Sequence, residues 1–331
     1  MDFNFLELLI AFAGGIFGAA IGAFPVWVLC GLAVLIGATI NLTTGNADFM
    51  NLVAWGTFLG PHTSFAGGCA AAAYAAKQHL IDNGKDICTA LVGLNNPKVL
   101  IVGGIFGAIG HIILYILFLI PNYSDIAWTN TIALAVILDM FLARLLLGKT
   151  GLSGKLPAGA NRWKPTPEHA WVVYQSDPAQ MLLLAIAIGA PAAYMAIILP
   201  GSSGLVFGFA TVAYTFMIMG YNIPVTHHIA LSASMVTAAT GNVAWGITFG
   251  ILAVYLGELC AALFVYYGDT HIDPPTMALV LTFTIYPLLD FLDVFEYQSE
   301  WTWVIPIITA FAGFMLFYSL RKKTNDIKTE I

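Results

Sequence analysis

The chain places a proline, an imidazole and two hydroxyls together in Gly60-Pro61-His62-Thr63-Ser64, inside an otherwise apolar run. Proline removes a backbone donor and loosens the preceding turn. Carbonyls are thereby freed beside groups that suit contact with a polar solute. Packing, with the hydroxyls bonded back to the backbone, is the competing account. Thr44-Gly45-Asn46 and Thr240-Gly241-Asn242 each set a hydroxyl, an amide and a flexible glycine just ahead of an apolar helix start. Helix N-termini favour negative charge. The expectation is that Thr44, Asn46, Thr240 and Asn242 join His62, Thr63 and Ser64 around one substrate; the plain alternative is a pair of capped turns.

Asp139 and Glu258 also stand inside apolar runs. A carboxylate facing lipid there costs about 2.5 to 3.5 kcal/mol on insertion scales, so each should face the interior, paired or protonated. They are the expected carriers of a coupling proton or sodium ion, with His227 and His228 as further candidates. Adjacent histidines lie about 100° apart on a helix and do not make the i, i+4 pair a metal prefers, so proton or hydrogen-bond chemistry is expected of them rather than metal binding. His111 is a weaker partner for either acid. Cys30, Cys69, Cys88 and Cys260 lack CxxC or Cys/His ligand spacing and read as small packing residues. No cofactor or metal is expected. Hydrolase, nucleotide-binding and zinc-protease motifs are missing, so the chain is not expected to be an enzyme. Nor is a nucleic-acid partner expected.

The elements that position these groups follow from composition. Of 331 residues, 59% are hydrophobic and 9% charged, against about 25% charged in a soluble domain. The expected class is an all-α integral membrane protein in a lipid bilayer. About eleven spans are expected, near residues 5–22, 24–42, 53–76, 99–120, 128–147, 180–199, 203–220, 224–240, 243–267, 276–293 and 302–320. The first run follows acids rather than a basic leader and is expected to be retained. With the N-terminus outside, Lys77, Lys85, Lys98, Lys149, Lys155, Arg162, Lys164, Arg321, Lys322, Lys323 and Lys328 all face the cytoplasm, and Arg144 snorkels the same way. Asp48, Asp125, Glu296 and Glu300 fall outside. A bacterial or archaeal cell membrane is the expected location.

Val53-Ala54-Trp55-Gly56 recurs as Val243-Ala244-Trp245-Gly246, and each copy follows a Thr-Gly-Asn. Pro25-Val26 and Pro224-Val225, and Cys69-Ala70-Ala71 and Cys260-Ala261-Ala262, extend the match. The expected organisation is a five-helix repeat over 1–147, a linker over 148–179, a connecting helix over 180–202, a second repeat over 203–320 and a basic tail over 321–331. Parallel repeats follow from that pairing. A rival pairing of Ile132-Ala133-Leu134 with Met277-Ala278-Leu279 inverts them. Glycines at three-, four- and seven-residue spacing, such as Gly103, Gly107 and Gly110, suit close helix packing.

The function expected is a secondary transporter, a permease for a small anionic or zwitterionic solute, by proton or sodium symport. Its partners are that solute or ion and the bilayer, and a homo-oligomer is compatible. A channel for a small neutral solute is the alternative, followed by a membrane-embedded enzyme acting on a lipid or isoprenoid.

Overall fold

Helices begin where a short polar side chain precedes an apolar run. Asn4 caps α1 (Phe5–Ile21), Asn96 caps α4 (Pro97–Phe118), Asn130 caps α5 (Thr131–Leu147) and Asp177 caps α6 (Pro178–Ile198), each accepting from a backbone N–H of the first turn. Asn242 and Asp273 do the same for α10 (Val243–Cys260) and α11 (Pro274–Phe291). The other helices are α2 (Ala23–Thr44), α3 (Ser64–Lys77), α7 (Ser203–Val212), α8 (Tyr214–Ile218), α9 (His227–Thr240) and α12 (Val304–Lys322). This computed structural model describes residues 4–122, 127–296 and 299–322; Asp125, Lys323 and Lys328 lie outside the described residues. Among the described residues no strand forms, beyond one isolated bridge between Gly84 and Thr270.

Five helical stretches are long and apolar enough to cross a membrane: Ala23–Thr44, Pro97–Phe118, Pro178–Ile198, Val243–Val265 and Glu300–Lys322. Their outward faces carry large apolar side chains in the open, among them Leu183, Ile307 and Phe311, each about two-thirds exposed. Such a surface calls for lipid rather than water.

Two expected continuous helices are broken. In place of one helix over 53–76 there is a π-helical turn at Met50–Ala54, a run of turns, and then α3. Pro61 is the physical reason, and the hydroxyls repair the damage: Thr63 donates to the Gly60 carbonyl at 2.8 Å and Ser64 to the Leu59 carbonyl at 2.8 Å. The run 203–220 is divided at Ala213 into α7 and α8.

Helices α1, α3 and α4 pack on one another, and so do α6, α9 and α10. Between these groups α2 lies on α7, and α5 lies on α11. Glycine sets the first group's spacing. A β-carbon at Gly103 would stand 2.7 Å from the Gly15 carbonyl oxygen, and one at Gly107 2.6 Å from that of Ala11, so only glycine permits this approach.

One end of the molecule gathers the basic residues. Lys77 donates to the Leu146 carbonyl, Lys85 to that of Val265, and Arg162 to those of Ser153 and Ala262. The linker between α5 and α6 lies across this end, tied by Lys155 N–H to the Tyr267 carbonyl and by Arg321 to that of Trp163. At the far end Glu7, Asn130, Gly201 and Thr302 mark the helix ends, and no Lys or Arg occurs there among the described residues. Arg144 does not reach for solvent as expected. It is fully buried and donates to the carbonyls of Phe264 and Leu152 and to Thr270, because it arrives under the linker rather than at a free interface.

Candidate functional site

Helices α2, α5, α7, α9 and α11 enclose a cavity of about 400 Å³ toward the far end, lined by Trp27, Met50, Asn130, Phe207, Met235 and Thr276, among others. A second cavity of about 290 Å³ lies toward the basic end, lined by Lys85, Glu168, Trp171, His227, His271 and Asp273, among others. Trp27 lines both. Its indole meets the rings of Phe207, Phe65 and His227 at 5.7, 5.5 and 5.4 Å between centroids. This cluster forms an aromatic septum between the two spaces. The local sequence builds it: α2 carries Trp27 one turn from its start, α7 presents Phe207 from the facing helix, and His227 opens α9.

His227 is held by the Tyr214 hydroxyl, 2.6 Å from Nδ1, while its Nε2 is buried without a hydrogen-bond partner. His228 is also buried, with Nδ1 unpartnered. At the basic-end cavity Lys85 has its pKa lowered, first by burial and then by the Arg144 charge, against a smaller opposing effect of Asp269. His271 Nε2 stands 3.3 Å from Asp273 Oδ1, and Asp273 in turn accepts from Thr276 N–H and hydroxyl.

A third space, of about 370 Å³, opens beside the first at the far end and is lined by Glu7, Asn51, Thr57, His62, His111 and Tyr115, among others. His62 and His111 stack with centroids 6.3 Å apart, and His111 Nε2 is 3.6 Å from Glu7 Oε2. Asp139 is fully buried nearby, and neither carboxylate oxygen has a hydrogen-bond partner. A β-carbon at Gly110 would overlap the His62 carbonyl and lie 3.8 Å from Asp139 Oδ2, which places both residues against the same glycine.

The residues singled out by sequence are distributed unevenly over these spaces. His62 lines the vestibule, but Thr63 and Ser64 spend their hydroxyls on backbone carbonyls. Thr44 and Asn46 sit in an exposed turn, where Asn46 accepts from Asp48 N–H at 2.7 Å. Thr240 and Asn242 end α9 and start α10, and Asn242 accepts from Ala244 N–H and donates to Thr302. Gly45 and Gly241 are left-handed at φ 74° and 67°, so both turns carry a glycine helix cap. Neither turn lines the three spaces. Glu258 is buried and pairs with Arg321, and the Tyr266 hydroxyl donates to the same oxygen, which ties α10 to the end of α12.

Sequence reasoning missed Trp27, Phe207, Tyr214, Glu7 and the His271–Asp273 pair. The aromatics had no signal separating them from ordinary core.

Among the described residues no group of three or more His, Cys, Asp or Glu is arranged to hold a metal ion. No curated protein and no solved structure matches the chain. A family model matches residues 1–165 and 159–305. With nearly the whole chain covered in those two stretches, the protein belongs to the DUF7973 family, described as a family of unknown function.

Proposed function

We propose that the protein is a secondary transporter, with a solute route through the two cavities that meet at Trp27. The single observation that carries this is their placement: one is lined from the far end, the other from the basic end, and the Trp27–Phe207–His227 septum lies between them. A solute held alternately on either side of a movable septum is the geometry of alternating access.

In this reading the chain crosses the bilayer eleven times, with the shorter helices completing the count begun by the five long ones. The basic end faces the cytoplasm by the positive-inside rule, which puts the N-terminus outside and the C-terminus inside, in the cell membrane of a bacterium or archaeon.

The packing favours inverted repeats over parallel ones. The groups α1/α3/α4 and α6/α9/α10 correspond, α2 faces α7, and α5 faces α11. Pro61-His62-Thr63 before α3 then matches Pro224-Val225-Thr226 before α9, and the rival pairing of Ile132 with Met277 is consistent with the same arrangement. The two family matches, meeting in the linker, support the same division. Helix α1 ends at the basic end, where Phe24 N–H donates to the Ile87 carbonyl close to Lys85, whereas α6 begins there, just after Ser176, whose carbonyl accepts from Arg321, so the paired helices run oppositely in this reading. Inverted repeats about a central site are a recurrent plan of secondary transporters.

The far cavity offers Asn130, Ser203 and Thr276 but no cation, while the basic-end cavity holds Lys85 beside Glu168 and Asp273. That lining suits a small zwitterionic or amphipathic solute better than a strictly anionic one. Asp139 is the coupling group in this scheme.

The test is uptake of labelled small zwitterions into proteoliposomes carrying the full-length protein under an imposed pH gradient. Accumulation above the external concentration, abolished in Asp139→Asn and converted to passive leak in Trp27→Ala, is expected. Equilibration without accumulation, indifferent to Asp139→Asn, would overturn the reading in favour of a channel.

A further inference from the structure

We propose that the far-end vestibule is a proton inlet, separate from the solute cavities, that delivers a proton through His111 and His62 to Asp139. The proposal rests on the transporter reading for the use made of that proton, but its geometry stands apart from solute binding. Glu7, 44% exposed, marks the mouth, and His111 Nε2 follows at 3.6 Å. His62 is 1% exposed and Asp139 is fully buried, so accessibility falls step by step along the series. The two imidazole centroids, 6.3 Å apart, are too distant for direct transfer, but both rings line the same 370 Å³ space, where one water can bridge them. His62 Nδ1, His111 Nδ1 and both Asp139 oxygens are buried without hydrogen-bond partners. Unmet polar atoms at this depth are costly and call for a functional account.

A hydronium ion at the mouth gives its proton to His111 and is left as water. His111 becomes neutral again as His62 is protonated, and His62 becomes neutral again as the Asp139 carboxylate becomes a carboxylic acid. No bond other than N–H and O–H forms or breaks, and no co-reactant is consumed.

The surroundings of Asp139 fit a proton better than a metal cation. A hard cation requires a cage of oxygen ligands. The hydroxyls that follow His62, of Thr63 and Ser64, already donate to carbonyls of the Pro61 turn. From α3 the titratable neighbour is Cys69, which lies within electrostatic range of both Asp139 and Asp273. From α4 it is His111, with Glu7 of α1 behind it. Before α11 stand His271 and Asp273, bonded to each other. On α11 itself Tyr286 packs on Phe249 and Phe295, and Asp290 lies a further turn toward the far end. On α5, Arg144 points away, to Thr270 and Asp269. Among the described residues no Lys or Arg pairs with Asp139.

Acid-jump infrared difference spectroscopy on the full-length protein in lipid vesicles tests this without any solute. A carboxylic-acid carbonyl band is expected to rise on acidification and to be lost in Asp139→Asn. In His62→Phe the band should rise more slowly, by on the order of a hundredfold, with its amplitude kept. His111→Gln, a change at the half-open vestibule, should slow it similarly and serves if His62→Phe does not fold. A band that survives Asp139→Asn, or that rises at the wild-type rate in the histidine variants, overturns the proposal. A histidine-dependent band in a protein that accumulates no solute would leave the inlet standing and sink the transporter reading alone.

Discussion

Asp139 and Gly110 show how single residues here serve opposite ends. A buried carboxyl with no partner costs stability, since an unsatisfied buried group costs about 1 to 3 kcal/mol and more when charged. Asp139→Leu should therefore melt at the same temperature as the wild type in detergent, or higher, while losing coupled uptake. A fall in the melting temperature would mean the carboxyl has a stabilising partner. Gly110 behaves conversely. A β-carbon there would overlap the His62 carbonyl, so Gly110→Ala should destabilise by about 1 to 3 kcal/mol, read as a lower melting temperature. The polar groups in the His62 turn were legible because proline, histidine and two hydroxyls are conspicuous in an apolar run. Glu7, Trp27 and Phe207 were not, because their meaning comes only from partners far away in sequence, such as His111 and His227.

The linker acts through one carboxylate. Asp269 accepts from Lys149 N–H and the Thr150 hydroxyl at 2.5 and 2.6 Å and stands 3.8 Å from Arg144. Burial works to raise its pKa, but these bonds and the nearby charge outweigh that and hold it below the ordinary carboxylate value. A depressed carboxyl contributes stability that is fully present above its unfolded pKa of about 3.9 and lost as pH falls through the folded value. Amide hydrogen exchange in residues 148–152 should thus stay slow from neutral pH down to about 4 and quicken only below it. Asp269→Asn should make it fast at neutral pH. Helix positions were readable where a cap precedes an apolar run, as at Asn96 and Asn242. The break at residues 55–63 was harder to see, because the apolar residues continue through it and a single proline can equally leave a kinked but continuous helix.

At the scale of the whole molecule, the two stretches that match the family model meet in the linker, whose residues 155–159 are exposed. Coexpressed fragments 1–158 and 159–331 should therefore copurify and retain uptake, since α2 on α7 and α5 on α11 hold the halves together. Failure of the fragments to associate would show that the linker, rather than the helix faces, joins them. The repeated tryptophan segments point to a pairing that the packed helices do not follow, since Trp55 precedes α3 whereas Trp245 lies on α10, so short identical strings are a poor guide to which helices correspond. Gly22, at φ 97°, is the sole residue between α1 and α2, and a β-carbon there would stand 2.8 Å from the Cys88 carbonyl oxygen. A joint that short has no slack. In the transport scheme, a tilt of α1 passes directly to α2 and so to Trp27, whereas Phe207 follows a four-residue connection, Leu199–Ser202. In the transport scheme proposed above, the first half drives the septum and the second yields to it.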